Sequence, residues 1–319
     1  MHSVISGHGA YLPSKVVTNK DLEASVETSD EWIVERTGIK QRHIAASNEF
    51  SSDLAFHAAK DALSNAKLSA DDIDLIVVAT TTPDNTFPST ATRVQHLLGM
   101  TKGAAFDVQA VCAGFIYALA TADKFIRCGD AKHVLVIGAE TLSRIVDWKD
   151  RGTCILFGDG AGALVLSASQ DTSRGILSTH LHSDGSTREI LFVNGGAGTE
   201  AGFSGKIHMQ GKDVFKHAVA KLSDTTLESL NKNKLSVADV DWVVPHQANI
   251  RIMEAMAKRL DLPMEKVVTT VAHHANTSAA SIPLALHTAA SAGKLKKGQL
   301  VSLQAIGGGL AWGSCLARW

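Results

Sequence analysis

Two kinds of apolar pattern alternate along this chain, and their order lays out a fold. Continuous apolar runs at 73–79 and 134–138 read as strands covered on both faces. Residues 52–68 and 89–98 instead carry apolar side chains at helical spacing, which predicts amphipathic helices. Ahead of them, residues 3–11 predict a strand stopped by Leu12-Pro13-Ser14. Residues 28–37 predict a short helix whose start is set by Thr28 and Glu31 at capping-box spacing. Pro83 to Pro88 reads as a loop, and Ala104, Ala105, Phe106 and Val108 as the end of another buried strand. The helix predicted next, 113–128, is Ala-rich, lacks proline and is closed by Gly129. Its first three turns hold almost no polar residue, so it has to be buried on nearly every side. Strands alternating with helices predict a layered α/β fold with a mainly parallel core.

The second half repeats the first. Leu68-Ser-Ala-Asp-Asp-Ile-Asp-Leu-Ile-Val lines up without gaps on Leu235-Ser-Val-Ala-Asp-Val-Asp-Trp-Val-Val, an offset of 167 (235 − 68). Asp72 falls on Asp239 and Asp74 on Asp241. Near that offset, 132–138 falls opposite 298–304, and both copies run strand, loop, helix, strand, loop, helix, strand. Two anchors at nearly one offset indicate a duplication. The predicted units are 1–170 and 171–319, joined by the surface stretch Ser169-Gln-Asp-Thr-Ser-Arg174. Ligands of such folds bind beyond the carboxyl ends of parallel strands, so the residues at those corners are the ones to inspect.

Composition narrows the class. With 319 residues, 45% hydrophobic and 20% charged, the chain describes a soluble globular protein with room for a large core. A net charge of -1 argues against bulk attraction to nucleic acid or an anionic membrane. The start has no basic-then-apolar leader and no apolar run reaches spanning length, so a cytoplasmic protein without membrane insertion is expected. Cys112, Cys128, Cys154 and Cys315 are scattered, which predicts neither disulfides nor a zinc site. His180 and His182, and the pair His273 and His274, lack a completing ligand, so no metal is expected.

Cys112 stands at a strand-to-helix corner, where unpaired N–H groups and the helix dipole can lower a thiol pKa. Taken alone it reads equally well as an inert buried thiol. In the second half His246 follows the strand 240–244, and Asn276 follows the strand predicted at 267–271, near the corner equivalent to Cys112. Singly, His246 is an ordinary core histidine and Asn276 a turn residue. Together, on related corners, they form an acyl-transfer set: a thiolate to hold an acyl group, and imidazole and carboxamide N–H groups to stabilise an enolate. The glycine-rich run 157–166 lacks a phosphate-loop lysine and predicts a tight turn into a strand. Gly307, Gly308 and Gly309 allow close backbone approach and offer a second oxyanion donor.

These residues make the chain recognisable. Phe106 to Phe115, Thr86-Phe-Pro-Ser89, Arg151-Gly-Thr153, Phe157 to Ala163, Pro245 to Asn249, Asn276 to Ser281 and Trp312-Gly313 resemble the β-ketoacyl-acyl-carrier-protein synthase III family, over essentially the full length. The resemblance implies a thiolase-like fold, two α/β halves packed as a five-layered αβαβα core. It also implies a reaction, the decarboxylative Claisen condensation of an acyl-coenzyme A primer, acetyl-coenzyme A above all, with malonyl-acyl-carrier protein. Cys112 would carry the acyl group, His246 and Asn276 would stabilise the enolate, and the N–H groups of Cys112 and Gly308 would form the oxyanion hole. Trp32 and Arg151 would sandwich the adenine, Arg36 would meet the charged end of the nucleotide, and Thr28, Gly211, Phe215, Ala248 and Asn249 would line the pantetheine channel. Phe87, Leu142 and Ile306 would shape the acyl pocket, with Phe87 reaching into a second subunit of a homodimer. Coenzyme A thioester would be a substrate, with no resident cofactor.

Two further readings follow. Arg251, Lys258 and Arg259, with Lys212 and Lys216 nearby, read as a solvated face or as a docking patch for the acidic carrier protein. Ile306 stands where the family usually has Phe, Ala275 where it usually has Gly, and Val111 where a smaller residue is common. Those departures keep open a related thiolase-fold acyltransferase using longer primers or serving secondary metabolism. A cysteine hydrolase and a non-catalytic carrier-binding protein are the rivals from other classes.

Overall fold

The computed structural model describes residues 1–319. In the first half the elements are β1 (His2–Tyr11), α1 (Asp30–Thr37), α2 (Ser51–Ala66), β2 (Leu75–Ala79), α3 (Thr90–Leu97), β3 (Ala104–Val108), α4 (Gly114–Cys128), β4 (His133–Thr141) and β5 (Asp159–Ser169). In the second they are β6 (Gly175–Ser183), α5 (Gly211–Lys232), β7 (Trp242–Pro245), α6 (Ile250–Arg259), α7 (Ser281–Ser291), β8 (Leu300–Gly307) and β9 (Ala311–Arg318). Of four sheets, the two large ones run β1-β5-β4-β2-β3 and β7-β8-β9-β6, and the other two are two-stranded. Helices α2 and α3 cover the outer face of the first sheet, α5 and α6 the outer face of the second, and α4 and α7 lie between the sheets. Five layers result, as expected.

The repeat is visible in the hydrogen bonding. Leu75 pairs with Val134 and Trp242 with Val301, both in parallel, and each member of the second pair lies 167 residues after its counterpart (242 − 75; 301 − 134). The second anchor therefore sits on the first anchor's offset, one residue away from the pairing of 132 with 298. The repeated decapeptide has a structural purpose: Ser69 with Asp72, and Ser236 with Asp239, form matching capping boxes. Asp74 then accepts the N–H groups of Lys132 and His133, and Asp241 accepts that of Leu300, fixing where the next strand enters each sheet.

Between the sheets, Phe115, Ile116, Leu119 and Ile126 of α4 share one core with Ile282 and Leu286 of α7 and with residues of both sheets. Burying each such side chain stabilises the fold by roughly 1.5–3 kcal/mol. No solvent-facing stripe remains on the first turns of α4, which is why its sequence shows no amphipathic period there.

Four expectations need correction. The sheets are mixed: β4 and β5 pair antiparallel, as do β8 and β9, so only β3-β2-β4 and β7-β8 are parallel. Residues 267–271 form no strand; Val267 makes a single parallel bridge to Val243, and a short helix, Val271–His274, follows. Thr28 is not the cap of α1; Ser29 is, its side chain accepting from the Trp32 N–H, because serine one position later leaves the backbone extended at the helix entry. The glycine run 157–166 is no tight turn either. Gly160 and Gly162 lie inside β5, and a Cβ on Gly162 would stand 2.7 Å from the Leu284 nitrogen, so the glycines let α7 press onto the strand.

Candidate active site

Cys112 occupies a single 3₁₀ turn, Val111–Ala113, between the end of β3 and the first turn of α4. Val111 has φ +49°, a left-handed conformation that a β-branched residue rarely adopts, so the corner is held under strain. Gly307, at the end of β8, presses on the same corner: a Cβ there would lie 2.6 Å from the Cys112 nitrogen and 2.7 Å from the Ala110 oxygen. Cys112 is 6% exposed and lines a cavity of about 1440 Å³.

His246 and Asn276 line the same cavity. His246 directly follows β7; its N–H continues the ladder to the Gln304 carbonyl at 2.8 Å, and its Nδ1 lies 2.6 Å from Ser281 Oγ on α7. Asn276 is held by its backbone, which donates to the Leu156 carbonyl and accepts from Gly158 N–H. Its Oδ1 accepts from the Ser278 N–H at 2.9 Å, so it is the local turn residue and also a lining residue of the cavity. Gln247, not among the candidate residues of the sequence, stands in for the strand expected at 267–271. Its side chain binds the carbonyls of Pro245 and Val268 and the N–H of Thr270, tying the loop that leads to Asn276 back to β7. Only its place inside Pro245–Asn249 pointed to it.

The electrostatics differ from the expectation for a helix N-terminus. Burial pushes the Cys112 thiol up to about 12, and Glu140 adds to the rise, while the Ser278 hydroxyl and the cysteine's own N–H pull the other way. Burial holds His246 down to about 3, so its imidazole is neutral at physiological pH. A resting thiol beside a neutral imidazole is the ground state here, and the nucleophile has to be generated during the reaction.

The other candidate residues divide. Leu142 and Ile306 are buried lining residues of the cavity, and Arg36, Gly211, Phe215, Ala248 and Asn249 are exposed or half-exposed ones. Asn249 Oδ1 also caps α6 and its Nδ2 donates to the Arg36 carbonyl, so α1 and α6 are joined at the rim. Thr28, Trp32 and Arg151 do not line it. Two guanidinium groups lie over the Trp32 ring, Arg36 at 4.7 Å and Arg151 at 4.9 Å from its centre. Gly308 lies on a smaller adjoining recess with Gln109, Ala110 and Val111. Phe87 is 83% exposed and does not line the cavity of its own chain.

Arg251 and Lys212 stand at the cavity mouth, and Lys216, Lys258 and Arg259 are exposed on α5 and α6, which pack on each other. Arg259 is paired with Asp224 at 2.7 Å. His180 and His182 both contact Glu228, and no group of three or more His, Cys, Asp or Glu side chains is arranged so that it could hold a metal ion. No helix is long and apolar enough to cross a membrane.

Comparison with known proteins agrees with this geometry. Residues 106–185 match the family model for 3-oxoacyl-[acyl-carrier-protein] synthase III, and residues 230–319 match the model of that family's C-terminal part. The chain is 60% identical to the β-ketoacyl-[acyl-carrier-protein] synthase III of Rhodospirillum centenum, covering 100% of this chain and 99% of the relative. It is 60% identical to that of Ehrlichia canis, covering 99% of each. The crystal structure of 3-oxoacyl-[acyl-carrier-protein] synthase III from Aquifex aeolicus superposes with a TM-score of 0.95 at 50% identity, over 99% of this chain and 100% of that one.

Proposed function

The chain belongs to the 3-oxoacyl-[acyl-carrier-protein] synthase III family, and on that premise we propose that Cys112, His246 and Asn276 carry out its reaction. The enzyme joins an acyl-coenzyme A primer to malonyl-acyl-carrier protein with loss of carbon dioxide, the condensation that initiates fatty-acid synthesis. Cys112 attacks the primer thioester and keeps the acyl group. Malonyl-acyl-carrier protein then enters, and the N–H groups of His246 and Asn276 hold the enolate formed as carbon dioxide leaves. The enolate carbon attacks the acyl-cysteine, and the thiolate is expelled. One observation carries this reading: three side chains from two different halves converge on one cavity that also reaches the basic mouth.

The remaining assignments rest on the same premise. Acetyl-coenzyme A is the proposed primer, with Ile306 and Leu142 setting its length; an aliphatic side chain at 306 in place of the family's usual phenylalanine leaves room beside the sulfur. Trp32, Arg151 and Arg36 receive the nucleotide, with Arg151 swinging off the indole to admit the adenine. The exposed Phe87 reaches the acyl pocket of a second copy, making the working form a homodimer. The enzyme acts in the cytoplasm and needs no resident cofactor. Incubation with a panel of acyl-coenzyme A thioesters, read by intact mass, tests the reading: short primers should add to the protein, and no adduct from any of them would reject it.

Docking of the carrier is assigned to Arg251, Lys216, Lys258 and Arg259, cations beside the mouth that suit an acidic partner. Arg251→Glu should raise KM for malonyl-acyl-carrier protein about tenfold, the effect of ~1.4 kcal/mol of lost interaction. Loading from coenzyme A should be unchanged. Equal losses in both half-reactions would reject the assignment.

A further inference from the structure

Arg42 is buried inside the molecule, and nothing in the chemistry above uses it. Its side chain is 0% exposed, on the strand Gln41–Ile44 that pairs with Lys15–Thr18 in one of the two-stranded sheets. Burial lowers its pKa to about 10, so it is a cation at physiological pH. A buried cation is normally paired with a carboxylate. Arg42 instead directs its guanidinium at neutral oxygens. Nη1 donates to Asn19 Oδ1 at 2.9 Å and to the Val17 carbonyl at 3.2 Å, and Nη2 donates to the Ile155 carbonyl at 2.8 Å. Asn19 is also 0% exposed. Its Oδ1 serves Arg42, while Nδ2 donates to Asp30 Oδ1 and to the Ile39 carbonyl, each at 2.7 Å. Asp30 is the first residue of α1, and Ile39 follows the glycine that closes it. One amide thus grips both ends of the helix that carries Trp32 and Arg36. The Ile155 carbonyl held by Arg42 belongs to the residue that caps the one-turn helix Arg151–Cys154. The two segments whose side chains meet over the Trp32 ring are therefore joined through one guanidinium and one amide.

We propose that Arg42 and Asn19 are positioning residues for the nucleotide of coenzyme A. They set the backbone separation between α1 and the Arg151 turn, so that the Trp32 ring and the two arginines receive the adenine and its charged end together. The proposal rests on the reading that the nucleotide binds at Trp32.

Several observations favour this role. Helix α1 has only 8 residues and the Arg151 turn only 4, too few for either to hold its shape unaided. Trp32 is the third residue of α1, close to the Asp30 end of the grip. A guanidinium suits the task because its planar fork fixes acceptors on diverging sides, which an ammonium on a flexible stem cannot do. Gly158 presses on the stem of that fork: a Cβ there would stand 3.1 Å from Arg42 Cβ. Arg42 holds the Arg151 turn by its main chain, so it fixes the turn without holding the Arg151 side chain on the indole. A core role alone would be served by apolar side chains of like volume, without the cost of burying a cation.

The test follows acyl loading against thioester concentration, by rapid-quench intact mass, in the full-length wild type, Asn19→Asp, Arg42→Lys, Trp32→Ala and the double variant Asn19→Asp/Trp32→Ala. Each receives acetyl-coenzyme A and, separately, acetyl-pantetheine, the thioester without its nucleotide. Asn19→Asp keeps an oxygen for Arg42 but sets a carboxylate against Asp30 and the Ile39 carbonyl, and Arg42→Lys keeps the charge without the fork. In both, the half-saturating concentration of acetyl-coenzyme A should rise about tenfold, within what one stacked base contributes, with the maximal rate unchanged. Loading from dilute acetyl-pantetheine should not change. With Trp32 already replaced, Asn19→Asp should raise half-saturation by less than it does in the wild type. A folded Asn19→Asp or Arg42→Lys that saturates like the wild type would overturn the proposal. So would losses that multiply with Trp32→Ala, or an equal loss with acetyl-pantetheine, the mark of a merely structural role. If Arg42→Lys does not fold, Asn19→Asp decides; failure of both to fold would assign the clamp to the fold alone and overturn the proposal. A Trp32→Ala that saturates like the wild type would instead overturn the placing of the nucleotide at Trp32.

Discussion

Cys112→Ser should abolish acyl loading from every coenzyme A thioester, with the rate down roughly 10⁴-fold or more, as when a nucleophile is removed from a covalent mechanism. The substitution is nearly isosteric, and the strained turn, the Gly307 contact and the cavity all survive it. What changes is the atom. The thiol already needs help, since burial has pushed it up to about 12. A hydroxyl is a still weaker acid and a poorer leaving group when the enolate arrives. Intact mass after incubation with acetyl-coenzyme A reads the result directly, and the melting temperature should stay within a few degrees. An acyl adduct on the serine variant at a rate near wild type would place the nucleophile elsewhere.

His246→Ala and Asn276→Ala should behave in the opposite way. Loading should persist, because neither side chain is assigned to the thiol. Decarboxylation and condensation should fall about 10²- to 10³-fold for each, the cost of one donor removed from a developing oxyanion. Carbon dioxide release from malonyl-acyl-carrier protein by pre-acylated enzyme checks this; loss of loading in step with condensation would reject the division of labour. The pH behaviour adds a second readout. His246 has a folded pKa of about 3 against an ordinary 6.5, so between those values the unfolded chain binds the proton that the folded chain refuses. Its contribution to stability is complete above pH 6.5 and is lost progressively as the pH falls towards 3. His274, held near 4 by burial, acts in the same direction. Melting curves of His246→Ala should therefore show a shallower decline on the acid side than those of the wild type. The condensation rate of the wild type should show no limb from this imidazole between pH 5 and 8.

Much of this was legible in the sequence because duplication leaves a trace that periodicity alone does not. The Ser69–Asp74 and Ser236–Asp241 stretches persist because each caps a turn and then fixes the entry of a neighbouring strand. Matching corners then followed, and with them Cys112, His246 and Asn276. What stayed hidden depends on contacts distant in sequence. The strand expected at 267–271 is apolar enough, but Gln247 satisfies the backbone that a strand would have paired, and the chain is free to turn early towards Asn276. Gly160 and Gly162 looked like turn residues because their meaning is the nearness of α7, more than a hundred residues away. The raised thiol pKa was equally invisible: the helix end is written in the sequence, while the burial that outweighs it is not.

The stack of Arg36, Trp32 and Arg151 has a bearing on how spent coenzyme A departs. The indole is already engaged by two guanidinium groups, each contact worth roughly 0.5–2 kcal/mol. An adenine arriving there, as proposed, would gain about 1–3 kcal/mol by stacking on an aromatic ring, but would first have to displace a guanidinium from that ring. Only the difference contributes to retention. On the proposed assignment Arg151 would compete with the nucleotide for the same surface, and its return would drive the product off. An enzyme that must empty one tunnel of coenzyme A before a carrier arm can enter it gains turnover from holding the first guest loosely.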